Sequence, residues 1–203
     1  MNTHPVGDSA LLIDTHDAMV AQHLRTYILR QSLKGLRELV PAHNTLLVEF
    51  DALLFDLTSF IRLLPKFEQL KRPAAPARAH DVPVTYDGED LKEVVRLTGL
   101  DMAEVIQRHS SATYTVAFLG FAPGFPYLTG LDPKLRVPRL KTPRTKIASG
   151  AVAIADEFSG IYPRATPAGW CILGHTDVVL FDPDREPPAL LTPGDTVHFR
   201  PSA

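Results

Sequence analysis

The chain has 203 residues, a formal net charge of −2, 45% hydrophobic and 22% charged residues, and one cysteine. These are ordinary values for a folded globular protein, and they exclude the basic field a nucleic-acid-binding domain needs. A single cysteine excludes an intramolecular disulfide. There is no apolar run long enough for a transmembrane helix, and Met1-Asn2-Thr3-His4-Pro5 does not open a signal peptide, so the expected location is cytoplasmic.

Ser9 to Asp14 reads as a first strand. Asp17 is placed to cap a helix running to Ser32, with Val20, Leu24, Tyr27 and Ile28 on one apolar face. Leu36–Val40 and Thr45–Phe50 read as two strands joined through Pro41-Ala42-His43-Asn44. A second helix is expected from Asp56 to Leu64, with a continuation past Pro65 to Leu70. This order predicts a small α/β domain over residues 1–72. Residues 71–79 carry two prolines and no apolar periodicity, and read as a linker.

The second domain is expected over residues 80–203, opening on an edge strand, Val82–Tyr86, that contains Pro83. Asp87 and Asp90 bracket the start of a helix carrying Leu91, Val94 and Val95, which Gly99 stops. Asp101 and Glu104 have capping-box spacing and open a further helix bearing Val105, Ile106 and His109. Thr113–Leu119 is a strand, followed by short strand candidates at 151–155, 170–174, 177–181 and 196–200. Twelve of the 18 prolines lie after residue 120, which excludes a helical bundle there and points to a compact β-barrel. The fold class expected is α+β.

Three stretches have the composition of a site. Gly120-Phe121-Ala122-Pro123-Gly124-Phe125-Pro126-Tyr127-Leu128 is a stiff aromatic loop, either a pocket wall or a plug in a barrel end. Lys134, Arg136, Arg139, Lys141, Arg144 and Lys146 form a basic stretch with no acid among them. It suits a small anion, a nucleotide phosphate or an acidic partner, or is a solvated loop. Tyr162, Trp170, His175 and Thr176 lie in a third stretch of turns, where Tyr, Trp and His each combine an apolar body with a polar tip. His109, near a helix C-terminus that favours the protonated imidazole, is a candidate general acid or base. No P-loop, nucleophile elbow or metal-ligand spacing occurs, so no metal is expected.

Phe118 to Leu128 resembles the signature of the 5-oxoprolinase B-subunit family (PxpB), also known as KipI-like or allophanate hydrolase subunit 1 proteins. Pro138-Arg139, Thr142-Pro143-Arg144, Gly150 to Ala155, Gly160-Ile161-Tyr162-Pro163, Tyr86 to Leu91 and Gly7 to Leu11 carry the same resemblance. It implies a cyclophilin-like β-barrel after the small α/β domain. It also implies work with the KipA-like C and the A components of 5-oxoprolinase. Together these cleave 5-oxoproline to glutamate with ATP, through phosphoryl activation of the lactam oxygen. On this reading the catalytic candidates are His109, Arg144 and His175. Phe125, Tyr127, Arg139, Tyr162, Trp170 and Thr176 are the candidates for holding a small anionic substrate or nucleotide. The family often has arginine where His175 stands and a second glycine where Ala168 stands, the latter raising the expectation of strain at Ala168. The alternatives are a KipI-like inhibitor of a histidine kinase, and a carboxyltransferase component of an allophanate or urea system.

Overall fold

The computed structural model describes residues 1–68 and 78–202, so the expected linker up to residue 77, and the last two residues of the expected helix continuation, Gln69 and Leu70, lie outside the described residues. The chain divides into two compact units, residues 1–76 and 77–203.

In the first unit, strands β1 (Thr3–Val6), β2 (Ala10–Asp14), β3 (Leu36–Pro41) and β4 (Thr45–Phe50) form an antiparallel sheet in the order β1-β2-β4-β3. Strand β1 was not expected. Its sequence, Thr-His-Pro-Val, lacks an apolar alternation, and it exists because Val6 pairs with Ala10 through the turn at Gly7. Both edge strands contain proline, Pro5 and Pro41, which discourages further strand pairing. Helix α1 (Ala18–Leu29) starts where expected, because the Asp17 carboxylate accepts from Val20 N–H at 2.8 Å, and ends earlier than Ser32. Helix α2 (Leu57–Glu68) runs through Pro65. Leu11, Ile13, Leu46 and Val48 from alternate strand positions meet Leu24, Ile28, Phe60 and Leu64 from the helices in one core.

The second unit is a seven-stranded sheet in the order β12-β9-β10-β7-β6-β13-β5. The strands are β5 (Ala79–Val84), β6 (Tyr114–Leu119), β7 (Pro126–Thr129), β9 (Ala151–Ala155), β10 (Phe158–Ile161), β12 (Cys171–His175) and β13 (Thr196–Pro201). Its two outer strands meet at Thr85 and His175, whose backbones exchange two hydrogen bonds of 2.9 Å, so the sheet curls into a nearly closed barrel. Helix α3 (Leu91–Thr98) ends at Gly99 in the left-handed region, and α4 (Met102–Ser111) is capped by Asp101 accepting from Glu104 N–H at 2.7 Å. The expected Asp90 cap is absent: its side chain makes no cap bond and is used elsewhere.

Strands 3–4 residues long, β7, β8 (Arg144–Ile147), β10 and β11 (Thr166–Ala168), were not expected, and β8 pairs only with β11 as a separate two-stranded ribbon. The expected strand at 177–181 does not form. There the Arg185 guanidinium donates to the Val179 and Leu180 carbonyls at 3.3 and 3.2 Å, and backbone pairing is confined to a short local return, with Leu190 N–H donating to the Leu180 carbonyl at 2.8 Å and one isolated bridge between Phe181 and Ala189. Strand β9, Ala-Val-Ala-Ile-Ala, shows how the wall is built. Val152 and Ile154 point into the barrel core with Leu128, Cys171, Leu173 and Phe199, while Ala151, Ala153 and Ala155 face outwards into a second, smaller core. Among the described residues, no helix is long and apolar enough to cross a membrane.

Candidate ligand pocket on the barrel wall

The second core lies on the outer face of the wall. Small residues on β9 leave room for large rings: Phe125, Tyr162 and Trp170 pack over the alanines, with Ile172 from β12 and Ile147 from β8. Phe125 and Trp170 sit 5.4 Å apart at 87°, Phe125 and Tyr162 5.0 Å apart at 69°, and Tyr127 and Trp170 5.6 Å apart at 78°. Edge-to-face packing of this kind aligns the positive edge of one ring with the negative face of the next. The rings surround a cavity of about 300 Å³ whose rim includes Arg139, Pro143, Ala168 and Phe121. Five expected binding residues, Phe125, Tyr127, Arg139, Tyr162 and Trp170, therefore line one cavity although they span residues 125 to 170.

Arg139 is the cation of this lining. Its contact with Asp156 is long, 3.7 Å from Nε, and both side chains are exposed, which leaves most of its donors for a ligand. Burial raises the Tyr162 phenol above its ordinary value, against the smaller pull of the Trp170 backbone N–H and the Arg139 charge, so it stays protonated. The lining holds no carboxylate, imidazole, thiol or aliphatic hydroxyl. Such a lining, one guanidinium among aromatic rings, has the chemistry to hold a small anion with a flat, largely apolar body.

Gly160 makes this packing possible. A Cβ there would lie 2.9 Å from both the Phe125 and the Trp170 rings and 3.0 Å from the Pro126 carbonyl oxygen. Gly160→Ala is expected to cost about 1–3 kcal/mol through overpacking, and to shift Trp170 emission to the red as the rings separate. Urea denaturation and the fluorescence spectrum check this. An unchanged spectrum at unchanged stability would show that the rings have slack.

The other expected residues lie elsewhere. Arg144 is not free to hold a substrate anion: Nη1 and Nη2 donate to the two Asp90 oxygens at 2.9 and 2.6 Å, and Nε lies 2.9 Å from Glu89. Asp90 was missed as a functional partner because its position before a helix already explained it. It also accepts from Ile172 N–H at 2.8 Å, and so ties the start of β8 to α3 and β12.

His109 is fully buried in the barrel core, stacked on Phe199 at 4.6 Å. The expectation of a protonated imidazole is reversed: desolvation lowers its pKa to about 3. Ser159 Oγ donates to the Ala153 carbonyl at 3.3 Å and so can accept from Nε2–H at 3.0 Å, which leaves Nδ1 to accept from the Tyr86 hydroxyl at 2.8 Å. His109 thus bridges β10 and the segment after β5, and sequence spacing held no sign of either partner.

His175 and Thr176 lie at the barrel seam. His175 lines a cleft of about 410 Å³ with Asp87, Glu89 and Lys146, and both residues line a neighbouring one of about 290 Å³. His175 Nδ1 is 2.8 Å from Asp87. Ala168 lies in β11 opposite Arg144 and is not among the residues with positive φ, so the expected strain does not arise. Among the described residues no group of three or more His, Cys, Asp or Glu side chains stands together as a metal site would require.

Residues 1–191 match the model of the carboxyltransferase domain, subdomains C and D. The B subunit of 5-oxoprolinase from Bacillus subtilis is 35% identical over 96% of this chain and 90% of its own length. The urea amidolyase of Saccharomyces cerevisiae is 28% identical over 83% of this chain, which spans 10% of that protein. Among solved structures, TTHA0988 superposes with a TM-score of 0.83 at 37% identity, over 96% of this chain and 40% of the longer one. The chain belongs to the 5-oxoprolinase B-subunit family.

Proposed function

We propose that this chain is the B component of a cytoplasmic 5-oxoprolinase, and that the aromatic pocket receives 5-oxoproline. The observation that carries the reading is the convergence of five aromatic rings and one under-used guanidinium on a single cavity of about 300 Å³. 5-Oxoproline is a flat five-membered lactam with one carboxylate. Its methylenes leave water against the ring faces, and its carboxylate meets the planar donor fork of Arg139. The lining has no group to serve as nucleophile or base, so this chain orients the lactam, and the KipA-like C and the A components supply the remaining groups.

ATP does not fit this pocket: one guanidinium faces what would be a triphosphate, and the sequence has no P-loop. The nucleotide is therefore assigned to the assembly. Within the same reading, the seven-stranded unit is a cyclophilin-like barrel and the two compact units are separate domains. His109 and Arg144 position elements of that barrel and do not touch substrate.

Trp170 is the one tryptophan of the chain, so it reports on the pocket directly. Titration with 5-oxoproline is expected to change its emission saturably, and Arg139→Ala is expected to abolish the change. In the three-component enzyme, 5-oxoproline-dependent ATP hydrolysis should fall to background when this chain is omitted, and an unchanged rate would remove the proposal. The likeness to a urea amidolyase supports a second reading, a carboxyltransferase component acting on urea or allophanate. Urea lacks a carboxylate and leaves Arg139 without a role, whereas allophanate carries one, so urea and allophanate in place of 5-oxoproline in the same assay separate the two readings.

A further inference from the structure

The loop between β6 and β7 holds a backbone outlier. Phe121 has a φ of 66°, and across it Ala122 N–H donates to the Gly120 carbonyl at 2.7 Å. A hydrogen bond from residue i+2 back to residue i, with a positive central φ, is the rare and strained kind of γ-turn. Glycine would adopt that conformation freely, whereas a Cβ resists it. Burial does not offset the strain, because Phe121 is 58% exposed. The surrounding loop holds the turn in place: Gly120 N–H donates to the Phe125 carbonyl at 3.1 Å, and Phe125 N–H to the Ala122 carbonyl at 3.0 Å.

The turn sets a large ring at the pocket. Phe121 stands nearly perpendicular to Phe125 at 5.4 Å and to Tyr162 at 6.3 Å, and it lines the cavity while most of its surface remains open. A strained, exposed phenylalanine held beside a cavity is the pattern expected where the conformation serves a ligand and not the fold. We propose that Phe121 is a specificity-determining residue: its ring covers the lactam once the carboxylate is on Arg139, sheltering it from water and limiting the ring size admitted. This rests on the reading of the pocket as the 5-oxoproline site.

The test uses the three-component enzyme with Phe121→Ala, Phe121→Tyr and Arg139→Ala, and two substrates: 5-oxoproline and its six-membered homologue, 6-oxopiperidine-2-carboxylate. Phe121→Ala is expected to raise KM for 5-oxoproline roughly tenfold, the size of a lost apolar contact, with kcat little changed. It should also narrow the preference over the larger lactam, and Phe121→Tyr, which keeps the ring, should restore both. Arg139→Ala should raise KM for both lactams alike. If Arg139→Ala raises KM but Phe121→Ala changes neither KM nor preference, the proposal fails and the pocket reading stands. If neither variant changes anything, the pocket reading itself fails. If Phe121→Ala instead abolishes co-purification with another component of the enzyme, Phe121 is an interface anchor and the proposal is overturned. The alanine chain is expected to denature close to the parent, because it keeps the Cβ and the turn and loses only a largely exposed ring.

Discussion

Replacing Asp90 with alanine is expected to destabilise the barrel unit by about 3 kcal/mol, the lower end of the range for breaking a buried ion pair. The lower end applies because Glu89 still faces Arg144, whose side chain keeps 24% of its surface exposed. Two losses coincide. The Arg144 guanidinium loses its bidentate partner, and Ile172 N–H loses its acceptor. The expected fall in Tm is on the order of 10 °C. Asp90→Leu combined with Arg144→Met should be less damaging than Asp90→Ala alone, since the charge then left without its partner is Glu89, which is exposed to water, and not a partly buried guanidinium. Thermal denaturation of the two variants decides the matter, and a double variant less stable than Asp90→Ala would contradict it.

Acid should weaken the fold through His109 well before the carboxylates titrate. An unfolded histidine takes up its proton near pH 6.5, whereas in the folded barrel burial lowers the pKa to about 3. Between these values the unfolded state binds the extra proton, so stability rises with pH across that window and falls as pH drops through it. The contribution of neutral His109 is intact above about pH 6.5, and roughly 2 kcal/mol is lost by pH 5. Urea denaturation at pH 7.5 and pH 5 measures the loss. His109→Gln keeps a donor and an acceptor without the titration, and should flatten the dependence. Equal slopes for parent and variant would mean that His109 does not carry it.

The local signals were legible in the sequence for a physical reason. Asp17 and Asp101 cap helices because an aspartate needs only the N–H three residues ahead of it. Gly99 ends a helix because the chain needs a left-handed residue there. The strands at β7, β8, β10 and β11 were not legible. They are 3 or 4 residues long, too short for an alternation to register, and they exist through partners far along the chain, such as Ser159 opposite Leu128. The apolar run at Val178 to Phe181 misled for a different reason: four consecutive apolar residues resemble a buried strand, but the segment makes one isolated bridge, Phe181 with Ala189, and the Arg185 guanidinium occupies the Val179 and Leu180 carbonyls.

By itself the sequence determined that the later part is a proline-rich β structure, that it holds an aromatic loop and the acid-free basic stretch Lys134 to Lys146, and which family pattern they follow. Those properties depend on residue type and near neighbours. Only the tertiary structure decided which cation is available and which histidine is accessible. Arg139 and Arg144 look alike in the basic stretch, yet Arg144 meets Asp90, 54 positions away, at 2.6 Å, while Arg139 stands exposed at the rim of the pocket. His109 and His175 are both lone histidines in the sequence, yet one is sealed behind Tyr86 and Ser159 and the other lies at the seam beside Asp87. Charge pairing and desolvation act through space over a few ångströms, and the barrel brings together groups that are dozens of residues apart in the chain.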